Sequence, residues 1–460
     1  MLRALRSWGE DHVLRGILKN SGYLFSSNSI SAVLSAVQGI LVVRLLGIEQ
    51  YGLVSGVIIV FATNVNRLLS FRMSETVVKY LGDALVKGDK KQAAAVAKAA
   101  GLTEAATSVV AYLALLLLAP LASRYLAKDV QTMPLFAFYG LVLLSNIIYE
   151  SSTGVLQATR RFDRLALANT GQSIITAALI LFTYLTKGGI VEVLTAYLAG
   201  KTFAGVIVAS SAVLQLNREL ERGWWRISVK SLDDWKAKAR FALSTNFNGT
   251  VNLIVRDSET LIIAFLLTKT EAGYFRLALS LINLVMMPID PFIGPTYSEI
   301  TRMIALEEWN KTRQLLKRIS AIAGTWTLAA GGFLALFGWW LIPFLYKPES
   351  RPAYPATVVL LIGYGFANVL QWNRPLMLAF GDAGYPLKVT AGIGLIKTVL
   401  TFSLVSSLGY LSEAAILSGF FVLSVGIITW RGLDEMQQRI SQTAKAALEE
   451  RVEPSSGGQR

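Results

Sequence analysis

The chain has 460 residues, of which 53% are hydrophobic and only 16% are charged. It contains no cysteine and one histidine, His12, which excludes disulfides, thiol catalysis, thiolate metal sites and a histidine metal cluster. The formal net charge of +14 is typical of a membrane protein with basic residues on its cytoplasmic loops, so we expect no nucleic-acid partner. We also expect no metal and no cofactor.

Long apolar runs recur along the chain, and they exceed the roughly 18 residues that indicate a membrane span. The N-terminal arm lacks the short apolar core and small-residue cleavage site of a signal peptide, so the first span is expected to be retained. The sequence therefore predicts an all-α polytopic membrane protein. Its twelve predicted helices cover residues 20–46, 52–74, 99–120, 133–157, 165–186, 191–216, 241–267, 273–298, 319–344, 354–380, 388–409 and 412–430.

The distribution of basic residues tests this helix count. With the N-terminus in the cytoplasm, 30 of the 44 lysines and arginines fall on the inner side and only six in the outer loops. A missed or an invented helix would invert every later loop and destroy this bias. We therefore expect a multi-pass protein of the cytoplasmic membrane with both termini in the cytoplasm.

The two halves of the chain resemble each other. The segment LLGIEQYGLVSG (45–56) aligns with LLTKTEAGYFRL (266–277), which superimposes Gly52 on Gly273. Six helices per repeat give both copies the same orientation, with a substrate path between them. The predicted domains are a cytoplasmic N-terminal arm (1–19), an N-terminal six-helix bundle (20–216), a basic cytoplasmic linker (217–240), a C-terminal six-helix bundle (241–430) and a cytoplasmic tail (431–460).

The segment NLIVRDSETLIIAFLL (252–267) places three charges in an otherwise apolar helix. A charged side chain at the bilayer centre costs about 2.5 to 3.5 kcal/mol, so Arg256, Asp257 and Glu259 are expected to face protein or a water-filled cavity. Arg256 and Glu259 share a helix face. A salt bridge between Arg256 and either carboxylate is the structural alternative to a functional role.

Arginines inside the predicted spans are concentrated on four helices. Arg44, Arg67, Arg72, Arg256 and Arg276 lie on helices 1, 2, 7 and 8, which are repeat-equivalent pairs. If these helices line a cleft between the halves, the cleft is a cationic, hydrated cavity. Guanidinium groups bind phosphate oxygens in bidentate fashion, so such a cavity suits an anionic substrate.

Other polar and aromatic residues inside the spans are also expected to face the protein interior. Lys201 and Lys397 fall near the centres of helices 6 and 11, but the sequence assigns them no role. Aromatic residues that could stack on sugar faces include Tyr23, Phe25, Phe247, Tyr274 and Tyr297.

Several motifs follow the order found in one family of transporters. They are LLGIEQYG after the first span, AGYFRLALSLINLVMMP at the start of the second half, PTYSEI at the inner end of helix 8, Phe162 and Tyr385 after helices 4 and 10, and RPAYPATVVLLIG before helix 10. On these motifs the chain resembles the polysaccharide transporter (Wzx-like) oligosaccharide flippase family. That family belongs to the multidrug/oligosaccharidyl-lipid/polysaccharide (MOP) exporter superfamily.

The resemblance implies two six-helix bundles that face each other in a V, with helices 1, 2, 7 and 8 lining a central cavity. It also implies a flippase, not an enzyme, that moves a polyprenyl-diphosphate-linked oligosaccharide from the inner to the outer leaflet by alternating access. Membrane lipids, a polysaccharide polymerase and glycosyltransferases are the expected partners. The arginine that lipid II flippases carry on helix 8 would fall near Leu279 and Ser280 here, which disfavours lipid II.

The expected site follows from these charges and this resemblance. Asp257 or Glu259 is expected to couple the cycle to an ion gradient. The expected substrate-binding residues are Arg67, Arg72, Arg256, Arg276 and Arg374.

Three alternatives remain open at this stage. An ion-coupled multidrug exporter of the same fold would favour buried acids, whereas arginines outnumber acids in the relevant helices. A membrane glycosyltransferase or glycan polymerase needs a sizeable outer loop with catalytic groups, and the outer loops here have only about five to twelve residues. A non-transporting scaffold does not explain so many intramembrane charges.

Overall fold

The computed structural model describes residues 12–71, 73–253, 257–382 and 384–452. These residues form helices joined by turns, with no strand among them, which confirms the predicted fold class. The helices of the first half are α1 (His12–Leu46), α2 (Ile48–Leu69), α3 (Lys90–Tyr125), α4 (Val130–Ala158), α5 (Phe162–Leu185) and α6 (Ile190–Glu219). A further helix, Ser74–Val86, lies between α2 and α3.

The second half repeats this order; its seventh helix is described on either side of residues 254–256, and its eighth helix is divided into two pieces. The linker before it contains two short 3₁₀ turns, Trp224–Arg226 and Val229–Ser231. The helices of the second half are α7a (Trp235–Asn252), α7b (Glu259–Leu266), α8a (Lys269–Met286), α8b (Ile293–Ala305), α9 (Trp309–Leu345), α10 (Ala353–Ala379), α11 (Gly384–Leu408) and α12 (Tyr410–Val452). The predicted domain boundaries remain predictions, and residues 1–11 and 453–460 lie outside the described residues.

The twelve predicted helices are present in order, but only ten helices in the described part of the chain are long and apolar enough to span a membrane. The two exceptions are the seventh and eighth. α7a and α7b lie on either side of residues 254–256, which are outside the described residues, and a 3₁₀ turn at Asp290–Phe292 separates α8a from α8b. Pro288 and Pro291 interrupt the apolar run of the eighth helix.

Four helices extend well beyond their predicted ends, and the first of them, α1, begins at His12. α3 begins at Lys90, where the Asp89 carboxylate accepts a hydrogen bond from the Gln92 amide at 2.9 Å, and α9 begins at Trp309. α12 continues to Val452, well past its apolar part. Hydropathy marks only the lipid-facing length of a helix, whereas backbone hydrogen bonding continues into water.

The fourth helix is interrupted at residues 146–148. A buried carboxylate accepts hydrogen bonds from the free backbone amides where the helix resumes. Glu104 of α3 is only 2% exposed and accepts hydrogen bonds from the amides of Glu150 and Ser151 at 2.8 and 2.7 Å. Free amides at a helix N-terminus favour an anion, so Glu104 caps the segment Tyr149–Ala158.

The tenth helix is interrupted at the equivalent place in the second half, at residues 370–372. Here the Asn368 amide donates to the Thr327 hydroxyl at 2.8 Å, and no carboxylate takes part in that bond. The two halves therefore share the position of the helix break but differ in the side chains that form hydrogen bonds beside it.

The two halves meet closely at the end that the charge distribution predicts to be the outer one. α2 is π-helical over Gly52–Ile58, and Gly52 packs directly on Gly273 of α8a. A Cβ atom on Gly52 would lie 2.0 Å from the Lys269 carbonyl oxygen and 2.9 Å from the Gly273 nitrogen. Only a residue without a side chain allows these backbones to approach so closely.

Polar contacts surround the glycine pair. Arg44 donates to the carbonyls of Phe344 and Leu345 at 2.7 and 2.6 Å, and the Ile48 amide donates to Glu349 at 3.0 Å. These bonds join the first half to the second half. The predicted outer end is therefore closed in this structure.

Replacing Gly52 with alanine is expected to open this contact, because the new methyl group overlaps the α8a backbone. Overpacking of this kind costs about 1 to 3 kcal/mol, which corresponds to a shift of about 5- to 150-fold in a two-state equilibrium. The chain has no cysteine, so a single Ser55→Cys residue inside the cavity described below can report the opening. Labelling by a membrane-impermeant maleimide added from outside should rise.

Gly82→Ala is the matched control, because a Cβ atom there meets nothing within 4 Å. It should leave Ser55→Cys labelling unchanged. Equal labelling of the Gly52→Ala and Gly82→Ala proteins would contradict the assignment of the glycine pair to a closing contact.

Candidate functional site

A cavity of about 530 Å³ lies between the two halves, next to the glycine contact. Residues of α1, α2, α4, α5 and α6 line it from the first half, and residues of α8a and the end of α9 line it from the second. Its uncharged polar lining consists of Ser35, Gln38, Ser55, Gln172, Ser173, Thr176, Ser280 and Asn283. This composition makes the cavity hydrophilic in the interior of a membrane-spanning fold.

Two cations and one acid lie in this cavity: Lys201 of α6, Arg276 of α8a and Asp290 after α8a. The Lys201 and Asp290 side chains are exposed, and Arg276 is partly exposed. Neither Lys201 nor Arg276 forms an ion pair with a carboxylate of any described residue. With two cations and one acid the cavity has a net positive charge, and a cleft with low-dielectric walls strengthens the positive potential that attracts anions.

Helical periodicity brings these side chains to the cavity. Tyr197 and Lys201 are four residues apart on α6 and share one face, while the small residues Gly200 and Ala204 are buried. On α8a the cavity face contains Arg276, Ser280, Asn283 and Met287, again at helical spacing. The opposite side of α8a is apolar and packs into the core.

Arg67 and Asp257 form an ion pair with each other across the two halves. The guanidinium nitrogen lies 2.6 Å from the carboxylate oxygen, and the side chains are 38% and 45% exposed. Beside it, the Asn64 amide donates to the Ser258 hydroxyl at 3.2 Å. Exposed pairs of this type contribute about 0 to 1 kcal/mol, so this contact can break easily.

Glu259 belongs to a buried charged triad in the second half. Lys397 of α11 lies 2.9 Å from Glu259 of α7b and 3.0 Å from Glu413 of α12. The three side chains are at most 2% exposed. One ammonium group between two carboxylates joins three helices, and among the described residues Lys397 is the ion-pair partner of both carboxylates.

The structure places the predicted site residues in different environments. Arg276 lines the cavity, Arg67 pairs with Asp257, and Arg374 is exposed on α10 and is not among the residues that line the cavity. Arg72 and Arg256 lie outside the described residues, so the predicted salt bridge of Arg256 is not addressed.

Five aromatic residues were predicted to stack on sugars. Those whose side chains the structure describes do not line the cavity. Phe25 and Tyr297 are exposed, and Tyr274 packs against Tyr410 with ring centroids 5.8 Å apart. The side chains of Tyr23 and Phe247 lie outside the described part of the structure. Four other aromatics line the cavity, namely Tyr51, Tyr139, Tyr197 and Tyr346.

The sequence assigned no role to three residues that the structure places in charged sites, namely Lys201, Lys397 and Glu413. Lys201 was recognised as an intramembrane cation, and its spacing from Tyr197 was a visible signal for a shared helix face. Glu413 was missed because it lies at the start of the last apolar run, where a charge is commonly at the membrane surface. Its burial depends on how α12 packs against α11.

Comparison with known proteins gives the relatives of this chain. The sequence model of a family described as "Polysaccharide biosynthesis protein" matches residues 17–301. The Escherichia coli (strain K12) protein named "Inner membrane protein YghQ" is 23% identical over 303 residues, which cover 65% of this chain and 84% of that protein.

Solved structures of MOP superfamily proteins have the same fold. The lipid II flippase MurJ in an inward closed conformation matches with a TM-score of 0.69 and 13% identity, over 89% of this chain and 87% of that chain. An inward-facing multidrug resistance MATE family transporter matches with a TM-score of 0.67 and 14% identity, over 89% of this chain and 95% of that chain. These matches establish a MOP-type fold in a multi-pass membrane protein.

Proposed function

The chain belongs to the polysaccharide biosynthesis protein family, and from this premise we propose that it is a flippase for a polyprenyl-diphosphate-linked oligosaccharide. It moves this lipid from the inner to the outer leaflet of the cytoplasmic membrane by alternating access, for surface polysaccharide biosynthesis. The observation that carries the proposal is the pair of cations, Lys201 and Arg276, in a cavity between the halves.

The chemistry of the substrate fits this cavity. A diphosphate carries several negative charges, and Lys201 and Arg276 supply ammonium and guanidinium donors for its oxygens. Sugar hydroxyls moved into lipid without partners cost several kcal/mol each, so the headgroup needs a polar route. The polyprenyl chain stays in the bilayer, which is its preferred solvent.

Other charged residues have proposed roles at other stages of the cycle. Arg67 contacts the headgroup after its bond to Asp257 breaks, because that bond joins the halves at the predicted inner end. Arg72, Arg256 and Arg374 are proposed as further contacts along the route. Asp257 or Glu259 is proposed to couple transport to an ion gradient.

The same proposal includes the orientation and the partners. Both termini are proposed to lie in the cytoplasm, because this orientation puts most of the lysines and arginines on the cytoplasmic side. Glycosyltransferases supply the lipid-linked oligosaccharide, and a polysaccharide polymerase uses it after transfer. The chain itself acts as a transporter and not as an enzyme.

A multidrug exporter is the second function that this fold permits. Exporters of cationic drugs need a cavity with an excess of acids. Here the cavity lining has two cations and a single acid, Asp290, which favours an anionic substrate.

Deletion of the coding sequence tests the proposal. A lipid-linked oligosaccharide should accumulate on the cytoplasmic side, surface glycan should decrease, and the wild-type chain should restore both. Mass spectrometry of the extracted lipids would identify the glycan. Increased drug sensitivity with unchanged surface glycan would instead support the exporter.

A further inference from the structure

Four tyrosines from four different helical segments meet at one part of the cavity. They are Tyr51 of α2, Tyr139 of α4, Tyr197 of α6 and Tyr346, which directly follows α9. Tyr197 is close enough to interact electrostatically with Tyr51, Tyr139 and Arg276, and Tyr346 interacts with Tyr51 in the same way. We call these four residues the tyrosine cluster.

Three members of the cluster have buried rings and unpaired hydroxyl groups. Tyr51, Tyr139 and Tyr346 are 4%, 3% and 3% exposed. Their hydroxyls form no hydrogen bond with the described residues, yet their oxygen atoms are not sealed inside protein, so they open onto the cavity. Three tyrosine hydroxyls that open onto the cavity are available as hydrogen-bond donors and acceptors to a ligand there.

We propose that the tyrosine cluster is a carbohydrate subsite, which holds the first sugars of the substrate beside the diphosphate. This inference rests on the proposed function, since it places the diphosphate at Lys201 and Arg276. A tyrosine hydroxyl exchanges hydrogen bonds with sugar hydroxyls, as donor and as acceptor. Arg276 and Tyr197 line the same cavity, so the two subsites share one space.

Other parts of the substrate fit the cluster less well. The polyprenyl chain has no polar group to satisfy the hydroxyls of Tyr51, Tyr139 and Tyr346. The diphosphate interacts more strongly with Lys201 and Arg276, because hydrogen bonds between charged groups are stronger than those from neutral hydroxyls. Sugars carry many hydroxyl groups, which match the hydroxyls that the cluster presents to the cavity.

The position of the cluster gives it contact with both halves of the protein. Tyr51 precedes Gly52 of the closing contact, and Tyr346 follows Leu345, whose carbonyl accepts a bond from Arg44. A sugar bound there touches the first half through Tyr51 and the second through Tyr346.

The test compares two lipid probes on the purified full-length protein in lipid nanodiscs. The probes are undecaprenyl diphosphate and the same lipid carrying one N-acetylglucosamine, with binding followed by tryptophan fluorescence. Wild type should bind the glycosylated probe more tightly. The triple variant Tyr51→Phe, Tyr139→Phe, Tyr346→Phe should bind the glycosylated probe about 10- to 100-fold more weakly, and the sugar-free probe equally well.

The control is a second triple variant, Tyr112→Phe, Tyr125→Phe, Tyr354→Phe. These tyrosines do not line the cavity, and Tyr112 and Tyr354 donate to the protein carbonyls of Ala137 and Ala335. It should bind both probes as wild type does. Melting temperatures should confirm that the cavity variant remains folded, because its lost hydroxyls have no hydrogen-bond partner among the described residues.

Each outcome distinguishes the subsite from the proposed function. Unchanged binding of the glycosylated probe by the cavity variant would overturn the carbohydrate subsite and leave the diphosphate site intact. Equal weakening for both probes would assign the hydroxyls to the diphosphate, which also overturns the subsite. Failure of wild type to bind either probe would overturn the proposed function and the subsite with it.

Discussion

Cells that produce the double variant Lys201→Ala, Arg276→Ala are expected to export surface glycan about 100-fold or more slowly than wild type at matched protein level. A hydrogen bond to a charged group contributes about 1.5 to 3 kcal/mol, and both cations of the cavity are removed. Each single variant should show a smaller loss. Surface glycan, normalised to the amount of protein in the membrane, measures the effect.

Two further variants separate charge from geometry. Arg276→Lys keeps the positive charge but loses the planar, bidentate donor, so we expect it to retain part of the activity. Lys187→Ala removes an exposed lysine from the turn between α5 and α6 and should have no effect. Undiminished export by the double variant would remove the cavity cations from the substrate site.

Replacing Lys397 with alanine is expected to destabilise the protein by about 3 to 5 kcal/mol. The change leaves Glu259 and Glu413 as neighbouring buried carboxylates without a cation, and breaking a buried ion pair in this way is strongly unfavourable. Thermal unfolding in nanodiscs should show a large decrease in melting temperature. The amount of folded protein in the membrane should decrease as well.

A compensated variant distinguishes the structural role of the triad from a coupling role. Lys397→Met combined with Glu259→Gln and Glu413→Gln removes all three charges and should recover much of the lost stability. If Glu259 couples transport to an ion gradient, this stable protein should still fail to export glycan. Normal export by the triple variant would assign the triad to stability alone, and a melting temperature as low as that of Lys397→Ala would contradict the charge argument.

The two charged clusters differ in a way that matters for function. The triad of Glu259, Lys397 and Glu413 is buried, and its cation has two carboxylate partners. Lys201 and Arg276 face a cavity and form no ion pair with the described residues. Cations without internal partners are available to an external anion, whereas a compensated ammonium is not.

Much of the fold could be predicted because its signals are local. The order of twelve helices and the repeat relation of Gly52 and Gly273 follow from hydropathy and alignment of the chain with itself. The breaks in α4 and α10 could not be predicted from hydropathy, since residues 146–148 and 370–372 lie in apolar runs. Their stabilising contacts come from neighbouring helices.

The candidate site was predicted only in part. A charged residue inside a membrane span indicates that it needs a polar or charged partner, but the sequence does not identify that partner. Arg276 was expected in a central cavity and lies there. Asp257 was expected either to couple ions or to pair within its own helix, but its partner is Arg67, 190 residues away in the sequence. Lys201 had no assigned role until its neighbours were known.

The sequence by itself determined that the chain crosses a membrane many times as a repeated all-α protein, since partition between water and lipid depends on the composition of each segment. Only the tertiary structure decided which charges are paired, which face a shared cavity and where the two halves close. Those outcomes depend on packing between helices that are distant in the sequence, as with Lys397 and Glu259, 138 residues apart. The periodicity of a helix fixes which side chains share a face, but not what that face meets.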